Sequence, residues 1–178
     1  MDAVRPDYEG LCVAGVVPAL LGKRDAPWMP GCVAGASAVV LLVLDGLGWE
    51  AIQTHREHLP VLSRLDGGPI TTVVPSTTSA GLTSITTGTA PAEHGLVGYR
   101  MRVRAGVLDV LRWKMPDGTG GPPPESVAPV RPFCGLSVPV VTRRQFQRSG
   151  FTAAHLRGAR FFGWRVTSVL VMRCLHLV

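Results

Sequence analysis

The chain has 178 residues, 46% of them apolar and 17% charged, with a net charge of +6. That length suffices for one globular domain burying about 70% of its unfolded surface. The basic balance comes without any Lys/Arg run, which argues against specific nucleic-acid binding and fits an anionic phosphate substrate.

The four cysteines, Cys12, Cys32, Cys134 and Cys174, form no C-x-x-C pair, so neither a zinc finger nor a redox motif is indicated. The N-terminus, M-D-A-V-R-P-D-Y-E, carries acids where a signal peptide has positive charge. The longest apolar run, Cys32 to Leu44, is too short to span a bilayer and leads into Asp45. A soluble, cytoplasmic chain without membrane contact is expected.

In chain order, Gly10 to Leu21 is an apolar segment suited to a helix packed on the domain. Residues 22–35 hold charges and two prolines and read as a loop. Ala38 to Leu44 is a continuous apolar run with β-branched residues, which predicts a strand buried on both faces of a parallel sheet. Trp49 to Glu57 is helix-compatible, and Leu59, Leu62 and Leu65 predict a short amphipathic helix over Leu59 to Leu65. Asp66-Gly67-Gly68-Pro69 ends it, and Ile70 to Val74 is the next strand. Pro75 and the hydroxyls of Ser76, Thr77, Thr78 and Ser79 lead into a helix over Ala80 to Thr87, stopped by Gly88. Strand, helix, strand, helix in this order implies a right-handed parallel crossover.

Beyond Gly98, Tyr99 to Val103 and Val107 to Trp113 alternate loosely around Ala105-Gly106 and predict a hairpin. Met115 to Pro132 is a long Pro- and Gly-rich loop, of the kind that serves as a lid or binding loop or stays disordered. Val138 to Val141 predicts a short strand, Phe151 to Arg157 a helix, and Val166 to Val178 the start of another element. The whole reads as a single domain, residues 1–178, with no internal repeat.

Two segments carry the chemistry. V-V-L-L-V-L-D-G-L-G, Val39 to Gly48, delivers Asp45 at the end of a predicted strand. P-S-T-T-S-A-G-L-T-S-I-T-T-G-T-A-P-A-E-H-G-L-V-G-Y, Pro75 to Tyr99, places hydroxyls at a helix N-terminus, where free N–H groups and the helix dipole favour an anion. In an open α/β sheet ligands bind beyond the C-terminal strand ends, so both segments aim a polar group at one rim. An acid for a metal and a hydroxyl nucleophile make half of a metal-assisted phosphoryl-transfer site.

These motifs resemble the alkaline phosphatase superfamily, and within it the type I phosphodiesterase / nucleotide pyrophosphatase family. The resemblance covers roughly residues 38–100. It implies a mostly parallel α/β sheet with flanking helices and metal-dependent hydrolysis of a small phosphate-ester or nucleotide substrate. It also implies Asp45 as a metal ligand and Thr78 as both nucleophile and metal contact, with a covalent phosphothreonine intermediate. Thr77 and Ser79 remain the alternative nucleophiles. The His-Gly of Glu93-His94-Gly95 belongs to a turn in the family, which makes His94 structural. Tyr99 stands where nucleotide pyrophosphatases carry an Asn that holds a phosphate oxygen; its hydroxyl could donate one hydrogen bond to substrate. Arg100, Arg102 and Arg104 read as solvated or pocket-rim charges.

The implied cofactors are divalent metal ions, two zinc ions roughly 3.5–4 Å apart, each needing about four ligands. After Tyr99 the only aspartates are Asp109 and Asp117, and the only histidines His155 and His176, with no helpful spacing. The family draws its remaining ligands from the second half of a longer chain. The expectation is therefore an N-terminal half whose C-terminal partner half is missing, or a catalytically inactive fragment. A third reading is a dinucleotide-binding domain, because Gly46-Leu47-Gly48-Trp49-Glu50-Ala51 fits G-x-G-x-x-A and Asp66 lies about 20 residues on. Against it stands Asp45, whose carboxylate would face the pyrophosphate.

Overall fold

The computed structural model describes residues 4–178. The Asp7 carboxylate accepts hydrogen bonds from the N–H groups of Gly10 and Leu11, which closes a turn. Helix α1 (Val13–Leu20) starts only after that turn, so it is shorter than the apolar segment that encodes it. Cys12 pairs with Thr71 in an isolated parallel bridge.

Residues 38–44 form no strand. Val39 through Leu44 are all exposed, Leu42 to 64%. The predicted buried strand therefore does not form among the described residues. A central parallel strand is held by neighbours that pair its N–H and C=O groups on both edges. No described strand lies beside this segment. Helix α2 (Trp49–Thr54) follows, and the expected helix at Leu59–Leu65 is only a single 3-10 turn, Leu62–Arg64. The second predicted strand, Ile70 to Val74, is reduced to the bridge at Thr71, although Val73 is fully buried.

Helix α3 (Thr78–Thr87) begins two residues earlier than its apolar pattern suggests, because Thr77 takes the N-cap position and its hydroxyl accepts from Ala80 N–H. It ends on Gly88, whose φ of +76° is the left-handed conformation that closes helices. Helix α4 (Pro91–His94) starts with a proline, and the Glu93 carboxylate accepts from the Ala90 N–H. Strands β1 (Arg100–Val103) and β2 (Gly106–Asp109) form the predicted hairpin, antiparallel with Met101 opposite Leu108.

The long loop after the hairpin folds around Trp113. This residue sits at φ +54°, a conformation that costs a bulky side chain about 1–3 kcal/mol. Burial of its indole and a 2.8 Å bond from Nε1–H to the Pro122 carbonyl offset that cost. Helix α5 (Pro124–Val127) lies within the loop. Strand β3 (Pro139–Arg143), helix α6 (Gly150–His155) and strand β4 (Arg160–Trp164) then make a parallel βαβ unit, with Val141 opposite Phe162. Helix α7 (Thr167–Leu177) packs against β3 and β4.

The described strands thus form two separate pairs, one antiparallel and one parallel. The fold is mixed α/β, and the mostly parallel sheet expected from the sequence is not what these residues build. Among the described residues no helix is long and apolar enough to cross a membrane.

Two cores flank α3. Cys12, Ala14, Val73 and Ala80 form one. Leu96, Leu108, Val110, Trp113, Ala128, Phe151 and Ala154 form the other, with Leu82 of α3 packed against it. Gly88 closes the end of α3 against α1: a Cβ there would fall 2.3 Å from Pro18 Cγ. Gly88→Ala therefore combines a disfavoured positive φ with a clash. It is expected to destabilise the fold by about 1–3 kcal/mol, read as a lower urea midpoint at unchanged slope.

His94 is fully buried. The Leu96 N–H donates to its Nδ1 at 3.1 Å, so the ring proton resides on Nε2 and is directed at Ser84 Oγ, 2.8 Å away. Burial holds its pKa down at about 4. His155 stacks on Phe151 and donates from Nδ1 to the Phe151 carbonyl, and burial lowers its pKa to about 4 as well. Both rings fold neutral. The unfolded chain takes up their protons near pH 6.5, so it binds more protons than the native state between pH 6.5 and 4. The stability these two groups contribute is complete above pH 6.5 and is lost as pH falls towards 4. Urea midpoints measured across that window should decline, and His94→Gln should flatten part of the decline while lowering the midpoint at pH 7.

Candidate active site

Helix α3 gives the hydroxyl cluster its geometry. Thr77 is spent on the cap: its Oγ1 lies 3.5 Å from Ala80 N and 3.3 Å from Ser79 Oγ. Ser79 is buried and donates to the Gly98 carbonyl at 2.8 Å. Thr78 occupies the first helical position and is half-buried, and its hydroxyl has no hydrogen-bond partner among the described residues. The backbone N–H groups of Thr78 and Ser79 are likewise unpaired. Of the three adjacent candidates, then, Thr78 alone keeps an unengaged hydroxyl, and it stands at the positive end of the helix.

The Ser79–Gly98 bond also joins two parts of the motif nineteen residues apart. Thr78 precedes one end of that bond and Tyr99 follows the other, so the bond brings their neighbourhoods together. The Tyr99 carbonyl accepts from the Val110 N–H, which ties it to the hairpin, while its side chain is exposed. From its place in the motif Ser79 is only a rival nucleophile. Its partner is a backbone carbonyl far along the chain, and no residue pattern signals such a pairing.

Asp45 lies in an exposed turn with Gly46, before α2. No hydrogen bond or ion pair among the described residues joins it to Thr78, Tyr99 or any other group. The unpaired state of residues 38–44 explains this, since the strand meant to deliver Asp45 to a sheet edge has no sheet to sit in. The same fact weakens the dinucleotide reading, which needs a paired strand in front of its glycine turn. Gly46 does take a positive φ of +85°, and Gly48 caps α2.

His94 lies within the motif but is consumed by Ser84 and Leu96 in the interior, in keeping with a structural role. Among the described residues no group of three or more His, Cys, Asp or Glu side chains could hold a metal ion. Asp45 and Thr78 alone fall short of the roughly four ligands that a zinc ion takes. The residues present do not by themselves fit a two-zinc site.

No curated protein and no solved structure gives a significant match to the chain. Comparison with protein families matches residues 39–169 to type I phosphodiesterase / nucleotide pyrophosphatase. That span exceeds half of the chain and contains both the Asp45 turn and the Thr78 helix start: the chain belongs to the type I phosphodiesterase / nucleotide pyrophosphatase family.

Proposed function

We propose that this chain carries the nucleophile portion of a hydrolase site for small phosphate esters or nucleotides, built on an alkaline phosphatase-like domain. The family supports phosphodiesterase or pyrophosphatase chemistry in general. The observation that supports Thr78 as nucleophile is the division of labour at the start of α3. Thr77 caps the helix and Ser79 anchors Gly98, which leaves the Thr78 hydroxyl unengaged beside two unpaired N–H groups.

In the proposed reaction Thr78 Oγ1 attacks phosphorus and the P–O bond to the departing alcohol breaks. The proton lost by Thr78 ends on the leaving alkoxide. Water then attacks phosphorus, the Thr78 Oγ1–P bond breaks, Thr78 recovers a proton, and the product leaves as phosphate from a monoester or as a phosphomonoester from a diester. The free N–H groups of Thr78 and Ser79 would donate to the phosphoryl oxygens, and the Tyr99 hydroxyl could supply a further donor.

The family is generally metal-dependent. Asp45 and Thr78 would be two ligands of the divalent ions, zinc in our reading. The ligands that complete the site are to be sought in polypeptide beyond these 178 residues, in the manner of a C-terminal half, or in a second copy of the chain. An inactive member that keeps the family's first motifs is the alternative reading, favoured by the absence of a third ligand among the described residues.

Two measurements test the proposal. The 178-residue chain alone should retain less than one zinc ion after dialysis, by elemental analysis, because metal affinity follows the number of preformed ligands. In protein assayed with its ligand set complete, Thr78→Ala should lower turnover of bis-p-nitrophenyl phosphate by orders of magnitude, and Thr77→Ala should mainly cost about 1 kcal/mol of stability through the lost cap. Near-normal turnover in Thr78→Ala would assign the nucleophile elsewhere.

A further inference from the structure

The charges are divided unevenly along the chain. All twelve acidic residues precede position 126, and residues 126–178 hold eight arginines with no lysine, aspartate or glutamate. The βαβ unit gathers several of these arginines at one place. Strands β3 and β4 run parallel, so Arg143 and Trp164, which are register partners, end on the same edge. Arg144 directly follows β3 and Arg165 directly follows β4. Arg143, Arg144, Gln145, Trp164 and Arg165 line an open cleft of about 410 Å³, and Arg148 lines a smaller one that adjoins it through Arg144 and Gln145.

This cleft is more than a scatter of surface charge. The Arg143 guanidinium sits over the Trp164 ring, 5.2 Å from its centroid, which holds a long flexible side chain in place. Gly163 lets the Arg144 backbone approach β4: a Cβ there would fall 3.0 Å from Arg144 Cβ and 3.1 Å from its Cα. None of the four arginines has an ion-pair partner among the described residues. The cleft opens at the C-terminal ends of the parallel strands, the edge where α/β sheets bind ligands. Planar guanidinium groups with no carboxylate to answer them, at such an edge, match pairs of phosphate oxygens through paired N–H donors.

We infer that the cleft bounded by Arg143, Arg144, Trp164 and Arg165 is a binding site for a multiply charged phosphate anion, an oligophosphate or the phosphate chain of a nucleotide. It uses none of Asp45, Thr78 and Tyr99, and the inference stands whether or not the hydrolase reading holds. The cleft is small and open, with one tryptophan in its lining, which suits a small anion better than an extended polynucleotide. The exposed glutamine Gln145 adds a neutral donor at its rim.

Titration calorimetry of the full chain with sodium tripolyphosphate, in EDTA at 0.15 M salt, tests the site. One equivalent should bind, and Arg143→Ala with Arg165→Ala should weaken it by at least about tenfold, since charge-assisted donors to the anion are lost from two positions. The paired control Arg104→Ala with Arg112→Ala removes the same charge from the hairpin region and should change the affinity by less than about twofold. Equal weakening in both pairs would show only diffuse attraction and would overturn the site. Gly163→Ala, which keeps every charge, should also weaken binding if Arg144 is held by close approach to β4, with far-UV circular dichroism confirming the fold. Trp164 reports directly: tripolyphosphate should change tryptophan emission in the wild-type chain and not in Trp164→Phe. ATP in place of tripolyphosphate tells a nucleotide from an inorganic chain by whether it binds more tightly. A single-stranded oligonucleotide that displaces tripolyphosphate and responds equally to both arginine pairs would replace the small-anion site with a nucleic-acid surface.

Discussion

The structure depends on burying a helix that is mostly hydroxyl. Helix α3 reads T-S-A-G-L-T-S-I-T-T, and Ser79, Thr83, Ser84, Thr86 and Thr87 are all buried. Each buried hydroxyl left unpaired would cost on the order of 1–3 kcal/mol, so the helix is viable only where every one finds a partner. Most are answered within the helix. Thr83 donates to the Ser79 carbonyl, and Thr86 and Thr87 both donate to that of Thr83. The remaining two reach outwards, Ser84 to His94 and Ser79 to Gly98. These two bonds fasten α4 and the start of the hairpin to α3. Small side chains also permit close approach, and both cores are built against the same helix.

The candidate site follows from that accounting. Because the interior hydroxyls are committed and the capping hydroxyl is committed, Thr78 is left over at the one position where an unpaired group faces a positive helix end. The arrangement that stabilises the helix therefore also leaves the Thr78 hydroxyl unengaged, the group we propose as nucleophile. Tyr99 is held by its own backbone, not by its phenol, and its side chain is exposed. His94, the residue of the motif that most suggests chemistry, is instead a strut, and its neutrality is enforced by burial.

The two halves of the chain differ in how well they are held. Residues 38–66 carry a run of exposed aliphatic side chains and few tertiary contacts, although they contain one of the two motifs. The segment from α3 to β4 contains the larger core and the fully buried side chains Leu96, Leu108 and Val110. Residues 126–178 are free of acids and rich in arginine, and three of those arginines, Arg143, Arg144 and Arg165, lie at the C-terminal end of the β3–β4 pair. A cluster of cationic side chains without nearby carboxylates favours anionic ligands over cationic ones.

Local chemistry along the chain was enough to place α3, its glycine stop, the hairpin around Ala105-Gly106 and a strand at Val138 to Val141, which forms as Pro139–Arg143, because caps, turn residues and β-branched runs act over a few residues. The family, too, was legible, since the Asp45 and Thr78 motifs stand in a fixed order at a fixed spacing. Strand β4 was missed although its R-F-F-G-W run is rich in aromatics, because so short a segment becomes a strand only beside β3. Conversely, Val39 to Leu44 has the composition of a buried parallel strand and is not one here, since a central strand needs partners on both edges that no residue of its own can provide. The role of Ser79, the burial of His94 and the gathering of Arg143, Arg144 and Arg165 were likewise decided by tertiary structure. Each rests on contacts between residues ten or more positions apart, and such contacts leave no trace in local pattern.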